Sequence, residues 1–146
     1  MNRYVFFRSP AAEMLEIRQL LSTITVTSLA ENNAIDGLVT LREALTAANS
    51  NKSVDGSTAG QLGVQDVIVF QPGLTGTIQL ALGQLPISDS VRIVGLGAAS
   101  TDIDAWGLSR VFAITSSAGN VEFDNLTISG GKTTANFESG AGIQFK

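Results

Sequence analysis

From Asp66 onward the chain is a succession of short apolar segments separated by glycine-rich breaks, and this constrains its fold more than anything else in it. The segments read VIVF (67–70), TIQLAL (77–82), LPI (85–87), VRIV (91–94), RVFAI (110–114), VEF (121–123), LTI (126–128) and IQF (143–145). Alternation predicts Ile78, Leu80 and Leu82 on one face of a strand, Val91 and Ile93 on one face of another, and Ile103, Leu126, Ile128, Ile143 and Phe145 in similar positions. Strands this short are unusual in an open sandwich and ordinary in stacked coils. They also repeat loosely. LPISDSVRIVGLGA (85–98) and FAITSSAGNVEFDNLTISGG (112–131) share an order of apolar-x-Ile, polar turn, alternating strand and glycine, and the pair Val91/Ile93 recurs as Val121/Phe123. Periods of roughly 20–50 residues mark stacked architectures, and about three turns fit between Asp66 and Lys146.

One segment reads differently. LVTLREALTAAN (38–49) predicts a helix over 41–49. Thr40 is its N-cap and Glu43, three residues on, completes a capping box. Leu41, Ala44, Leu45 and Ala48 fall at i, i+3, i+4 and i+7, one apolar stripe, and Arg42, Thr46 and Asn49 are expected to face out. Polar turn formers from Asn49 to Ser53 end the helix. Before it, STITVTSL (22–29) alternates Ile24 and Val26 against threonines, as a strand does, and AENNAIDG (30–37) is a turn-rich loop. The expected role of the helix is a lid. The first layer of a stacked β-structure leaves bare backbone groups and an open apolar interior, and an amphipathic helix can cover both. Its Thr40, Leu41, Glu43 and Leu45 are therefore structural capping residues, not catalytic ones. Residues 32–43 faintly mimic a calcium loop through Asp36, Gly37 and Glu43, but Ala34 stands at a ligand position.

These motifs resemble a known family. In LVTLREALTAAN, Thr40, Leu41, Arg42, Glu43 and Ala44 match the CSLREA domain, and Ala48-Asn49 match its trailing residues. The similarity continues through DVIVF, TIQLALGQLPI, VRIVGLGA and LTISGG, covering about residues 24–146. Val39 stands where the family often has Cys. Further upstream, LEIRQLLS (15–22) resembles the LEPR-XLL motif of large planctomycete-type bacterial surface proteins, with Ile17 in place of proline. An ordinary amphipathic N-terminal helix explains the same stretch equally well. The resemblance implies an all-β fold, a right-handed parallel β-helix with an N-terminal capping α-helix. It divides into a leader or sorting segment (1–22), a cap (23–65) and the first three or so coils (66–146). The chain stops just as a new strand begins, so we expect a piece of a longer solenoid, with an open C-terminal edge that pairs with more coils or another chain. The implied setting is the bacterial cell surface or exterior.

Charge and composition remove several function classes. The net charge is −4 with the basic residues scattered, whereas a nucleic-acid site needs a basic patch. There is no Cys, hence no disulfide, and no His, which removes the commonest general base and the best zinc ligand. YVFF (4–7) is too short for a signal-peptide core, and no run approaches the roughly 20 apolar residues of a membrane span.

Candidate chemistry is sparse. TDIDAW (101–106) sets Asp102 and Asp104 on one side of an extended segment. Such a pair could contact a ligand or calcium, the one ion the chain suggests, or serve hydrolysis. A solvated face with Ile103 pointing inward explains it as well. Trp106, the only tryptophan, could be an exposed platform for a sugar ring or a half-buried residue. Asn125 is read as a turn residue, and the glycines of SGGKTTANFESGAG (129–142) as turn glycines, not a phosphate loop. Arg92 and Arg110 are the only cations that could join Asp102 and Asp104 in a catalytic cluster. The resulting expectation is a non-catalytic, adhesin-like module that contacts polysaccharide or another surface protein. Its rivals are a fragment of a polysaccharide lyase or glycosidase on the pectin-lyase-like fold, and a spacer without ligand.

Overall fold

The computed structural model describes residues 21–133 and 140–146. The leader motif, apart from its last two residues, lies outside them. Strand β1 (Thr23–Val26) precedes helix α1 (Leu41–Ser50), and strands occupy the rest: β2 (Asp66–Phe70), β3 (Gly76–Gln79), β4 (Leu85–Ile87), β5 (Val91–Val94), β6 (Thr101–Asp104), β7 (Phe112–Ile114), β8 (Val121–Asp124), β9 (Thr127–Ser129) and β10 (Ile143–Phe145). The chain is all-β in class, with a single helix among the described residues.

Every strand pairing is parallel. Sheet A runs β1-β2-β5-β8, sheet B runs β3-β6-β9 and sheet C runs β4-β7-β10. After β1, successive strands therefore go to A, B and C in strict rotation, three times over. Such short segments cannot bury a face alone, so each relies on the strands above and below it. The repeat read from the sequence is the physical register: Val91 pairs with Val121 and Ile93 with Phe123. Asp66 in turn pairs with Val91, so the circuit from Asp66 to Val91 is shorter than the next, from Val91 to Val121.

Inward side chains form rungs through the stack. Ile24, Ile68, Ile93 and Phe123 align on sheet A. Ile78, Ile103 and Ile128 align on B, and Leu85, Phe112 and Ile143 on C. The first members of each rung are fully buried, and Phe123, Ile128 and Ile143 in the last circuit are only partly so. Phe112 and Phe123 lean together with ring centroids 4.7 Å apart, a tilted pairing worth about 0.5–1.5 kcal/mol beyond area. Two apolar residues depart from the expected pattern. Leu82 does not join Ile78 and Leu80, because β3 ends at Gln79 and the chain turns through Gly83 at φ 84°, leaving Leu82 exposed. Phe145, paired with Ile114 on the outermost strand of sheet C, is exposed as well.

Candidate functional site

Two of the regions that gather polar side chains hold the residues of interest: the cap, and the outer face of sheet B with the corner that follows it. In the cap, Thr40 is extended and its Oγ1 accepts from the Glu43 N–H at 3.2 Å, while Glu43 Oε2 accepts from the Thr40 N–H at 2.9 Å. Glu43 is buried, and its Oε2 also accepts from Thr40 Oγ1 at 2.9 Å, so this oxygen is committed to the cap. Leu41, Ala44, Leu45 and Ala48 are all buried, as the stripe requires, and Ala47 joins them. Asn51, at φ 55°, closes the helix in the left-handed conformation that Asn tolerates well.

Arg42 and Asn49 do not simply face out. The Arg42 side chain is 12% exposed and bonds the buried Glu31 carboxylate. It also donates to Gly83 O at 2.6 Å and Gln84 O at 3.3 Å. A guanidinium fork can satisfy a carboxylate and two carbonyls at once, and this draws it onto the β3–β4 turn instead of into water. Asn49 donates from Nδ2 to Pro86 O at 2.9 Å and accepts at Oδ1 from the Ser88 N–H at 2.8 Å. Its carboxamide thus reproduces the donor and acceptor of a neighbouring strand along the free edge of β4. Of the three residues expected outside, only Thr46 is exposed.

On sheet B, Thr77, Asp102 and Thr127 form one outward row, and Gln79, Asp104 and Ser129 a second. Between them Ile103 points inward and is buried, as alternation requires. Asp102 Oδ1 accepts from Ser129 Oγ at 2.8 Å, and Asp104 Oδ1 from the Trp106 N–H at 2.7 Å. Each carboxylate thus commits one oxygen to the frame. Trp106 is exposed and follows directly in the corner, residues 105–111, that leads to β7.

Comparison with protein-family models, with curated proteins and with solved structures found no match. The chemistry must therefore be judged from this geometry. The cations do not join the carboxylate pair. Arg92 lies on sheet A and bonds Asp124 at 2.6 Å, with Glu122 at 3.6 Å. Arg110 is buried at the entrance to β7. Among the described residues, no three His, Cys, Asp or Glu side chains are grouped to hold a metal ion, so Asp102 and Asp104 have no third carboxylate beside them. No helix among them is long and apolar enough to cross a membrane. Asn125 sits in a turn at φ 53°, its carbonyl accepting from the Gly97 N–H at 2.9 Å.

Glu31 is a polar contributor that sequence reasoning did not single out; Asn51 is expected only as a turn former ending the helix, and Asp66 only as one of several candidate carboxylates. Asn51 donates to Asp89 Oδ2 at 3.1 Å, a second tie from the helix end to the first circuit. Asp66 begins β2 on its inward face and is fully buried. Its Oδ1 accepts from Ser22 Oγ and from the Gln61 N–H at 3.0 Å, and its Oδ2 has no partner. Burial raises its pKa above the ordinary carboxylate value, with nearby Asp89 adding to the rise. Only the strict alternation with Ile68 and Phe70 could have betrayed this in the sequence.

Proposed function

We propose that the chain is a right-handed parallel β-helix capped by α1, and that it serves as a non-catalytic surface module contacting polysaccharide. The three-sheet rotation supports the architecture, since parallel crossovers are right-handed almost without exception and stacked repeats need a polar-faced cap. The CSLREA-like residues 40–44 and the LEPR-XLL-like leader support an extracellular, bacterial setting.

The observation that carries the binding role is the outer face of sheet B. Its rows of hydroxyl, amide and carboxylate side chains repeat along the stacking axis at the strand spacing of about 4.8 Å. A linear array of hydrogen-bonding groups suits a linear polymer better than a small molecule. The non-catalytic reading rests on what the carboxylates already do: Asp102 holds Ser129, Asp104 holds the Trp106 backbone, and Glu43 is locked in a cap. Affinity electrophoresis of the full chain through gels containing soluble polysaccharides should show retardation by at least one polymer. Incubation with pectate or alginate and calcium should yield no ultraviolet-absorbing unsaturated product. Product that forms and disappears in Asp102→Ala would convert the module into a lyase.

A further inference from the structure

The corner after β6 contains a conformation that folding alone does not require. Trp106 has φ 51°, in the left-handed region that favours glycine, and a bulky residue there is a genuine outlier. The residue is nevertheless left 67% exposed. Three contacts hold this arrangement. Asp104 Oδ1 accepts from the Trp106 N–H at 2.7 Å, Gly130 O accepts from the Gly107 N–H at 2.7 Å, and Ala105 O accepts from the Leu108 N–H at 2.9 Å. Gly130 is itself required: a Cβ there would run into the Asp104 carboxylate and lie 2.8 Å from the Trp106 nitrogen. Glycine at position 106 would make the same turn without strain, so the turn does not explain the tryptophan. Strain that is held in place while a large aromatic is exposed points to function.

The surroundings narrow the ligand. Leu108 shares the corner, and Leu82 occupies the equivalent corner one circuit earlier; both are more than half exposed. On the other side lie Gln79, Asp102 and Asp104, acceptors without a cation anywhere in the two rows of sheet B. Acceptors of this kind repel a polyanion and take hydrogen bonds from hydroxyls. A ligand with an apolar face and a hydroxyl edge, and without charge, is a pyranose of a neutral polysaccharide. We propose that Trp106 is the stacking platform for such a ring, with the free oxygens of Asp102 and Asp104 and the Gln79 amide receiving its hydroxyls. This rests on the polysaccharide-contact reading above and adds the residue and the class of sugar.

Because Trp106 is the only tryptophan, its fluorescence reports the platform directly. The full chain is titrated with a soluble β-glucan and a galactomannan, and separately with alginate and polygalacturonate, each with and without calcium. Trp106→Gly suits the left-handed backbone and serves as the binding-deficient variant with the fold kept, checked by circular dichroism. The expected result is that a neutral polymer quenches or shifts the wild-type emission and that Trp106→Gly, which has no tryptophan and is compared with wild type by isothermal titration calorimetry, binds it at least tenfold more weakly. Unchanged emission with equal binding by Trp106→Gly would overturn the platform while leaving polysaccharide contact intact. Failure of the wild-type chain to bind any polymer would remove both. Binding of the acidic polymers alone would overturn the neutral class. A self-associated species lost in Trp106→Gly would make a second copy of the chain the occupant.

Discussion

The alternation that turns Ile68 and Phe70 inward turns the Asp66 carboxylate inward as well, and its consequence is a pH dependence of unusual sign. Most carboxylates that matter to a fold have lowered pKa values and lose their contribution in acid. Asp66 is raised, chiefly by burial. Between its unfolded value near 3.8 and its folded value the native state binds more protons than the unfolded state, so stability falls as pH rises through that window. Asp66→Asn keeps an acceptor for Ser22 and the Gln61 N–H and removes the titration. Urea midpoints measured from pH 4 to 8 should decline less for the variant than for the wild type. At Gly130, alanine meets both the Asp104 carboxylate and a φ of 60°. Gly130→Ala should therefore cost more than about 1 kcal/mol and alter the tryptophan emission, read from urea unfolding and fluorescence.

Helix α1 is an element held by its polar flank as much as by its stripe. Glu31 and Arg42 form a pair removed from solvent, with side chains 5% and 12% exposed. Breaking one side strands a buried charge. Arg42→Met should cost about 3–5 kcal/mol, whereas Arg42→Met combined with Glu31→Leu should recover most of it, as a double-mutant cycle in urea would show. Asn49→Asp sets a carboxylate against Pro86 O and should cost about 1–3 kcal/mol, with faster hydrogen exchange at the Ser88 amide. At this level the sequence is informative in some places and silent in others. Thr40 and Glu43 announce the cap because its chemistry is local, three residues apart. The stripe of Leu41, Ala44, Leu45 and Ala48 is legible for the same reason. Arg42 is misread because its partners, Glu31 and the Gly83 and Gln84 carbonyls, are distant in sequence and reached only through the tertiary turn. The Asp102–Asp104 face is visible in the alternation. The exposure of Trp106 is not, since it depends on a backbone angle set by Asp104 and by Gly130, which belongs to the next circuit.

Across the whole molecule, each strand hydrogen-bonds only to its neighbours within its own sheet, so on the proposed solenoid reading stability should be graded along the sheets and not uniform. Ile93 lies inside its rung, fully buried, between Ile68 and Phe123; Ile128 ends its rung and is partly exposed. Ile93→Ala should cost about 2–5 kcal/mol and Ile128→Ala clearly less, by chemical denaturation of both. The stacking is legible at this scale because inward aliphatics recur at the spacing of a circuit.

That spacing is uneven, and the unevenness is informative. The lap from Val91 to Val121 uses more chain than the lap from Asp66 to Val91, yet the rungs stay level. All of the slack is therefore taken up at the bends. A frame built this way decouples what it must keep from what it can change. New surface chemistry can be spliced in one bend at a time, with the column of aliphatics inside never sensing the edit.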